Sequence, residues 1–287
     1  MCRFVAYLGE PLKLDDLLYH PANSLIKQSY HAKERPEPLN GDGFGVGWYE
    51  TNNDLEPCIQ TYITPAWSNR NLFRLARKVS SPCIFAHVRA ASPNMFVMEA
   101  NVHPFKFHQL IFMHNGSVAQ FDKIKRKLRA ALKDDFYGFI QGTTDSEHAF
   151  ALFLNNLEKP LPEVDACEMR SALVKTITQL DELTDAAGIK EPSYYNFSVT
   201  NGSEIVASRY VSKGTIAASL HYSRGLQFFC LPGGEYDMHN IDDNQKASAV
   251  IVSSEIITND ASDFPDVPVN HTITVNKDLS VEFEEIK

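Results

Sequence analysis

The chain has 287 residues, 44% of them hydrophobic and 22% charged, enough for one large domain or two small ones with a sizeable core. A formal net charge of −9 argues against a general nucleic-acid binder, which needs basic surface to neutralise phosphates. No apolar run approaches the roughly 18 residues of a spanning helix, and "FVAYL" near the start is shorter than the roughly 7–15-residue core of a secretory signal.

The first third reads as strands. "CRFVAYL" (2–8), "GFGVGWYE" (43–50), "CIFAHVRA" (83–90) and "QLIFMHN" (109–115) are short and rich in β-branched or aromatic residues. Leu72, Leu75, Ala76 and Val79 have helical spacing and predict a helix between the second and third of these. Phe121, Ile124, Leu128 and Leu132 form the stripe of another helix, whose basic run "KIKRKLR" reads as a solvated face. A further helix is expected from "TTDSEHAFALFLNNL", with Thr144 and Glu147 in capping-box spacing and Ala149, Phe150, Phe153 and Leu157 along one face. A third stripe, with Met169, Leu173, Leu180 and Leu183 inward, predicts a helix over 166–187 that Gly188 stops. Strands then return in "YNFSVTN", "EIVASRY", "LQFFCL", "SAVIVSSE", "HTITVN" and "SVEFEE", and Asn201-Gly202 signals a hairpin. Strands, helices, then strands again suggest a layered α+β architecture in a single domain over 2–287, with 259–287 as a strand-rich extension packed on it.

Five cysteines stand at positions 2, 58, 83, 167 and 230, an odd count with no CxxC pair. A reduced, cytoplasmic setting is expected.

Five features carry potential chemistry, each with a blander alternative. Removal of Met1 would give Cys2 a thiol and a free α-amine on one carbon. The amine, with a pKa of about 7.7–8.0, is able to accept the thiol proton and return it to a leaving amine; the alternative is a buried cysteine in an edge strand. In "HNG" (His114-Asn115-Gly116), the Asn115 amide and the Gly116 N–H are two donors suited to an oxyanion; the alternative is a turn that ends the strand. Alternation puts Arg89 and His87 on one side of their strand with Phe85, and a guanidinium there suits a carboxylate ligand or an internal salt bridge. Asp145 lies at a helix start, as a capping residue or as a receptor for a ligand ammonium. In "NGDGFGVGWY" (40–49), Gly43, Gly45 and Gly47 alternate with bulky residues. One face is bare, which allows close approach of another layer or a ligand, and the spacing is wrong for a dinucleotide fingerprint. The ten histidines include no HxxxH pair or His/Cys cluster, so neither a metal nor another cofactor is expected, and His103 and His114 are expected to pack around the site.

"MCRFVAYLG", "NGDGFGVGWY", "AHVRAAS", "NVHPF" with "FMHNG", and "GTTDSE" occur in that order. Together they resemble the class II glutamine amidotransferases, a branch of the N-terminal nucleophile hydrolases. The nearer likeness is to its stand-alone members, the ergothioneine-pathway γ-glutamyl hydrolase and a glutathione-degradation subunit. "LIKQSYHA", "ASRY" and "DFPDVPVNHTITV" extend the likeness over almost the whole chain. The resemblance implies a four-layer αββα sandwich. It implies Cys2 as nucleophile with its α-amine as base, Asn115 and Gly116 as oxyanion hole, Arg89 for a substrate α-carboxylate and Asp145 for its α-ammonium. His87, His114 and Gly43 would stand around them. One departure is "SSEII" (253–257), where a proline is expected after Glu255; it touches none of the five roles. The function implied is hydrolysis of a small γ-glutamyl amide through a Cys2 thioester. The alternatives are a glutaminase subunit feeding ammonia to a protein partner in trans, and a non-catalytic sensor of glutamine-like ligands. Neither nucleic acid nor membrane is an expected partner.

Overall fold

The computed structural model of the chain describes residues 2–34, 37–50, 55–91, 96–225 and 247–287, with the backbone alone at 227–230 and 236–239. In chain order its elements are β1 (Arg3–Lys13), α1 (Leu14–Leu18), α2 (Leu25–His31), β2 (Phe44–Trp48), β3 (Cys58–Tyr62), α3 (Arg70–Ala76), β4 (Ser80–Val88), β5 (Phe105–Phe107) and β6 (Leu110–Ser117). Then come α4 (Phe121–Ala130), α5 (Asp134–Phe139), α6 (Asp145–Asn156), α7 (Ala166–Ala186), β7 (Tyr194–Thr200), β8 (Ile205–Arg209), β9 (His221–Arg224), β10 (Gln227–Cys230), β11 (Tyr236–His239), β12 (Ala249–Ser253), β13 (His271–Val275) and β14 (Val281–Glu285).

Two six-stranded antiparallel sheets dominate, in the orders β3-β2-β4-β1-β12-β9 and β14-β13-β8-β7-β6-β5, with β10 and β11 as a separate ribbon. The period-2 alternation of each strand sorts its side chains into two layers. On β1, Val5 and Tyr7 pack outward with Leu14, Leu17, Leu25 and Leu72 of the first three helices. Phe4, Ala6 and Leu8 point the other way and meet Ile111, Met113, Ala207 and Ile273 of the second sheet. Leu110, Phe112 and Phe197 cover the far face of that second sheet, under Phe150, Phe153, Met169 and Leu173. The layers are therefore helix, sheet, sheet, helix, as the resemblance implies.

Local chemistry sets the helix starts. The Ser24, Asn69, Thr144 and Asp165 side chains each accept a backbone N–H from the first turn of α2, α3, α6 and α7. The box at α6 is half formed. Thr144 Oγ1 accepts Glu147 N–H at 3.2 Å, but the Glu147 carboxylate turns to the N–H groups of Gln141 and Gly142 instead. Gly188, at φ +71°, ends the long α7. Asn201-Gly202 opens a four-residue loop between β7 and β8, with Asn201 Oδ1 accepting from Ser203 and Glu204.

The bare face of β2 has the purpose expected of it. A Cβ at Gly45 would stand 2.3 Å from the His103 carbonyl oxygen, and one at Gly47 would stand 2.8 Å from Ile111 Cδ1. The second sheet thus approaches where β2 has no side chains. Two expectations need correction. The helix stripe at Leu72 ends at Ala76, before Val79. "HNG" does not end its strand, because β6 pairs with β7 as far as Ser117 opposite Tyr194. Of the strand expected at 226–231, the backbone of β10 covers 227–230; Leu226, Leu231 and the Cys230 side chain lie outside the described residues. Among the described residues, no helix is long and apolar enough to cross a membrane.

Candidate functional site

Strand register brings the singled-out residues to one end of the sandwich. On β1 and β4, Arg3 stands opposite Val88 and Phe4 opposite His87, so one further step sets Cys2 opposite Arg89. Cys2 shares the inter-sheet face of β1 with Phe4, Ala6 and Leu8. Its Sγ accepts the Ala90 N–H at 3.4 Å and lies 3.7 Å from the Ala90 carbonyl oxygen, so both backbone groups of Ala90 hold the thiol in place. From the second sheet, alternation puts Asn115 on the inter-sheet face with Ile111 and Met113, and His114 and Gly116 on the helical side. A cavity of about 100 Å³ is lined by Cys2, Arg89 and Ala90 on one side and by His114, Gly116 and Asp145 on the other. Asn101, His103 and Thr144 complete its wall. Two larger hollows, of about 490 and 420 Å³, have neither cysteine nor histidine in their linings. Chemistry rather than volume therefore selects the smaller one.

Arg89 is 3% exposed, yet among the described residues no carboxylate forms an ion pair with it. Among the described residues its guanidinium hydrogen-bonds only to backbone, the carbonyls of Asp42 at 3.4 Å and Phe96 at 3.3 Å. Burial pulls its pKa down, and the neighbouring Cys2 and Asp42 pull it back up. With two carbonyls as its hydrogen-bond partners among the described residues, this buried cation has donors suited to an anionic ligand.

Asp145 is not the cap of α6, a role that Thr144 fills. Its Oδ2 accepts the Val118 N–H at 2.7 Å and its Oδ1 the Ser146 N–H at 2.9 Å. This ties the end of β6 to the start of α6. No cation among the described residues pairs with this carboxylate. The cavity thus has an unpaired cation from the first sheet facing an unpaired anion from α6.

The three central histidines are committed to structure. The Tyr194 carbonyl accepts at 2.9 Å from His114 Nε2, so that nitrogen carries the proton and Nδ1 faces the Ser146 hydroxyl at 2.9 Å. His87 Nε2 lies 3.3 Å from the His114 carbonyl and 2.8 Å from His103 Nδ1. Burial lowers the pKa of His87 to about 3 and that of His103 well below its ordinary value. It lowers His114 as well, against the opposing pull of Asp145. All three are neutral at pH 7. Gly116 is required sterically, since a Cβ there would stand 1.9 Å from the Tyr194 carbonyl oxygen. Gly43 sits at φ +121° and its carbonyl accepts the Arg89 N–H at 2.8 Å, so it holds Arg89 rather than lining the cavity. Asn115 and His87 are fully buried and are not among the residues that line the cavity. Met1 lies outside the described residues.

Sequence reasoning passed over several contributors. Asn101, inside the quoted stretch "NVHPF", accepts the Thr143 N–H at 2.8 Å and donates to the Phe96 carbonyl. Arg3, next to the singled-out cysteine, is fully buried; its Nε meets Glu255 Oε1 at 2.6 Å and its Nη1 donates to the Cys2 carbonyl at 2.8 Å. Glu255 also accepts the N–H groups of Lys33 and Glu34. The available signal was a charged residue in an otherwise apolar strand, which needs a buried partner.

Residues 25–262 match the family model described as glutamine amidotransferases class-II. The probable glutamine amidotransferase DUG3 of Saccharomyces cerevisiae is 43% identical over 296 residues, covering 96% of this chain and 82% of its own. The γ-glutamyl-hercynylcysteine sulfoxide hydrolase of Mycolicibacterium smegmatis is 29% identical over 230 residues, 79% of this chain and 85% of its own. A solved class-II glutamine aminotransferase domain protein from Silicibacter pomeroyi superposes with TM-score 0.66 at 24% identity, over 99% of both chains. The glutamine phosphoribosylpyrophosphate amidotransferase of B. subtilis superposes with TM-score 0.60 at 14% identity, over all of this chain and 49% of its own. At such identities the two structures speak for the fold alone.

Proposed function

The chain belongs to the class II glutamine amidotransferases, and from that premise we propose that it hydrolyses a γ-glutamyl amide bond through a thioester on Cys2. The observation that carries this reading is the pairing of Arg89 and Asp145. They are opposite charges without counter-ions among the described residues, on either side of a cavity that Cys2 also lines. An α-amino acid presents a carboxylate and an ammonium on one carbon, and the two side chains complement those two ends. A γ-glutamyl group anchored there projects its δ-carbonyl from the other end of the side chain, toward the thiol.

In this reading Met1 is removed and the Cys2 α-amine takes the thiol proton. The Cys2 sulfur attacks the δ-carbonyl carbon, and the carbonyl electron pair moves onto oxygen. Asn115 and Gly116 donate hydrogen bonds to that oxyanion. The intermediate collapses by breaking the carbon–nitrogen bond, and the leaving nitrogen takes the proton from the amine. Water then adds to the thioester and releases glutamate and the free thiol. The neutral histidines play no part in proton transfer. They hold one another and the strands around them in register.

The test is glutamate release from a panel of L-glutamine, glutathione and γ-glutamyl amines by Met1-free protein. Release that is absent in Cys2→Ala supports the reading, and the best substrate identifies the leaving group. Asp145→Ala should chiefly raise KM, and unchanged affinity for glutamate would remove its assigned role. No release from any panel member, with ligand binding intact, would replace the hydrolase by a binding protein.

A further inference from the structure

The five assigned roles make no use of the stretch 253–257, although it closes the end of the sandwich behind Cys2. β12 pairs with β1, with Ser253 opposite Val5, and the next step brings Ser254 opposite Phe4. Ser254 is fully buried, and its Oγ accepts the Phe4 N–H at 3.0 Å, two residues from Cys2. The same oxygen lies 3.2 Å from Asn115 Nδ2, which reaches it from the second sheet. In that arrangement two polar groups are left over. Asn115 Oδ1 is buried without a partner. The Ser254 hydroxyl receives two N–H groups, and its own proton has no acceptor among the described residues.

A half-turn of the Asn115 amide leaves the heavy atoms in place and exchanges its two ends. Oδ1 then faces Ser254 and accepts the hydroxyl proton across the same 3.2 Å. Ser254 still accepts from Phe4, so its hydroxyl and Asn115 Oδ1 are both satisfied. What remains free is the Asn115 NH2, a donor in the buried layer that Cys2 shares. The reverse orientation leaves a carbonyl oxygen there, which would repel an oxyanion.

We infer that Ser254 is a positioning residue: its hydroxyl, oriented by the Phe4 N–H, holds the Asn115 amide with its NH2 free for the reacting oxygen. The inference rests on the reading of Asn115 as an oxyanion donor. Ser254 touches no substrate atom and acts only through Asn115. It also makes β1 a common support, since the residue that orients the donor and the residue that carries the thiol are fixed to the same strand.

The experiment is a double-mutant cycle on Met1-free protein, read as glutamate release from L-glutamine and γ-glutamyl-p-nitroanilide, with a thermal melt for each variant. Ser254→Ala should lower kcat about tenfold with KM little changed, less than the roughly 100–1,000-fold expected of Asn115→Ala. In the Asn115→Ala background, adding Ser254→Ala should cost no further turnover. Ser254→Thr, which keeps the hydroxyl, should retain most of the activity. An equal loss from Ser254→Ala in both backgrounds, or full activity of Ser254→Ala beside an impaired Asn115→Ala, overturns the positioning role and leaves the reading of Asn115 intact. Asn115→Ala as active as the parent chain overturns that reading and the inference together.

Discussion

The two ends of the inter-sheet layer are built on the same strands and have opposite chemistry. At one end β1 contributes Phe4, Ala6 and Leu8, β4 Cys83 and Phe85, and β6 Ile111 and Met113, all at most 5% exposed and packed on one another. Two residues further along each strand, in the same alternation, the inward positions become Cys2, His87 with Arg89, and Asn115. The dry end needs nothing but contact area, and each large side chain buried there contributes about 1.5–3 kcal/mol. The polar end is a different case. Both ring nitrogens of His114 have partners, while His87 Nδ1, His103 Nε2 and Asn115 Oδ1 have none, and among the described residues Arg89 has no carboxylate ion pair. A buried polar group without a partner costs about 1–3 kcal/mol. Folding physics alone would replace such groups, and their presence on otherwise apolar faces is the reason the proposed chemistry is assigned to that end.

The sharpest break of this contrast is Cys2→Ala. It should lower turnover of the best γ-glutamyl substrate by more than about 10⁴-fold, since the reacting atom itself is lost, and leave the melting temperature nearly unchanged. Residual activity near that of the parent chain would dissociate the polar end from catalysis. Asn115→Ala should reduce kcat about 100–1,000-fold with little change in KM; a loss carried by KM instead would make Asn115 a binding residue. Met113→Ala, on the same strand two residues earlier and fully buried, should do the reverse. It should cost about 2–5 kcal/mol of stability in a denaturant or thermal melt and leave KM where it was.

The smallest effect is one of pH. Burial holds the folded His87 pKa near 3 and lowers those of His103 and His114. All lie below the unfolded value of about 6.5, so on acidification the unfolded chain takes up protons that the folded one refuses. For His87 the stabilisation is therefore full above about pH 6.5 and is lost as the pH falls toward 3, by about 1.4 kcal/mol per pH unit; His103 and His114 act in the same direction. His87→Gln removes one of them, and a plot of stability against pH between 6 and 4 should become shallower. An unchanged slope would mean that His87 is already protonated in the folded chain.

Much of this architecture is legible in the chain itself. Alternation gave the strands and the face of Arg89, helical stripes and Gly188 gave α4, α6 and α7, and the bare side of 43–47 announced a close approach. Other parts escaped. α1 and α2 span five and seven residues, too few to repeat a helical period. The in-strand position of Gly116 was hidden because a local signal, Asn-Gly, usually means a turn; what holds it in β6 is the Tyr194 carbonyl packed against it.

The sequence by itself determined which residue types could do acyl-transfer chemistry, and on which side of each strand they fall, because alternation and capping depend on neighbours a few positions away. Only the tertiary structure decided how they meet. Arg3 and Glu255 are 252 positions apart, Asn115 and Ser254 139, and Cys2 and Ala90 88. Such contacts depend on sheet order and register, which bring β1 between β4 and β12 and lay β6 across them. No local pattern encodes that order, because it results from the burial of all the layers together.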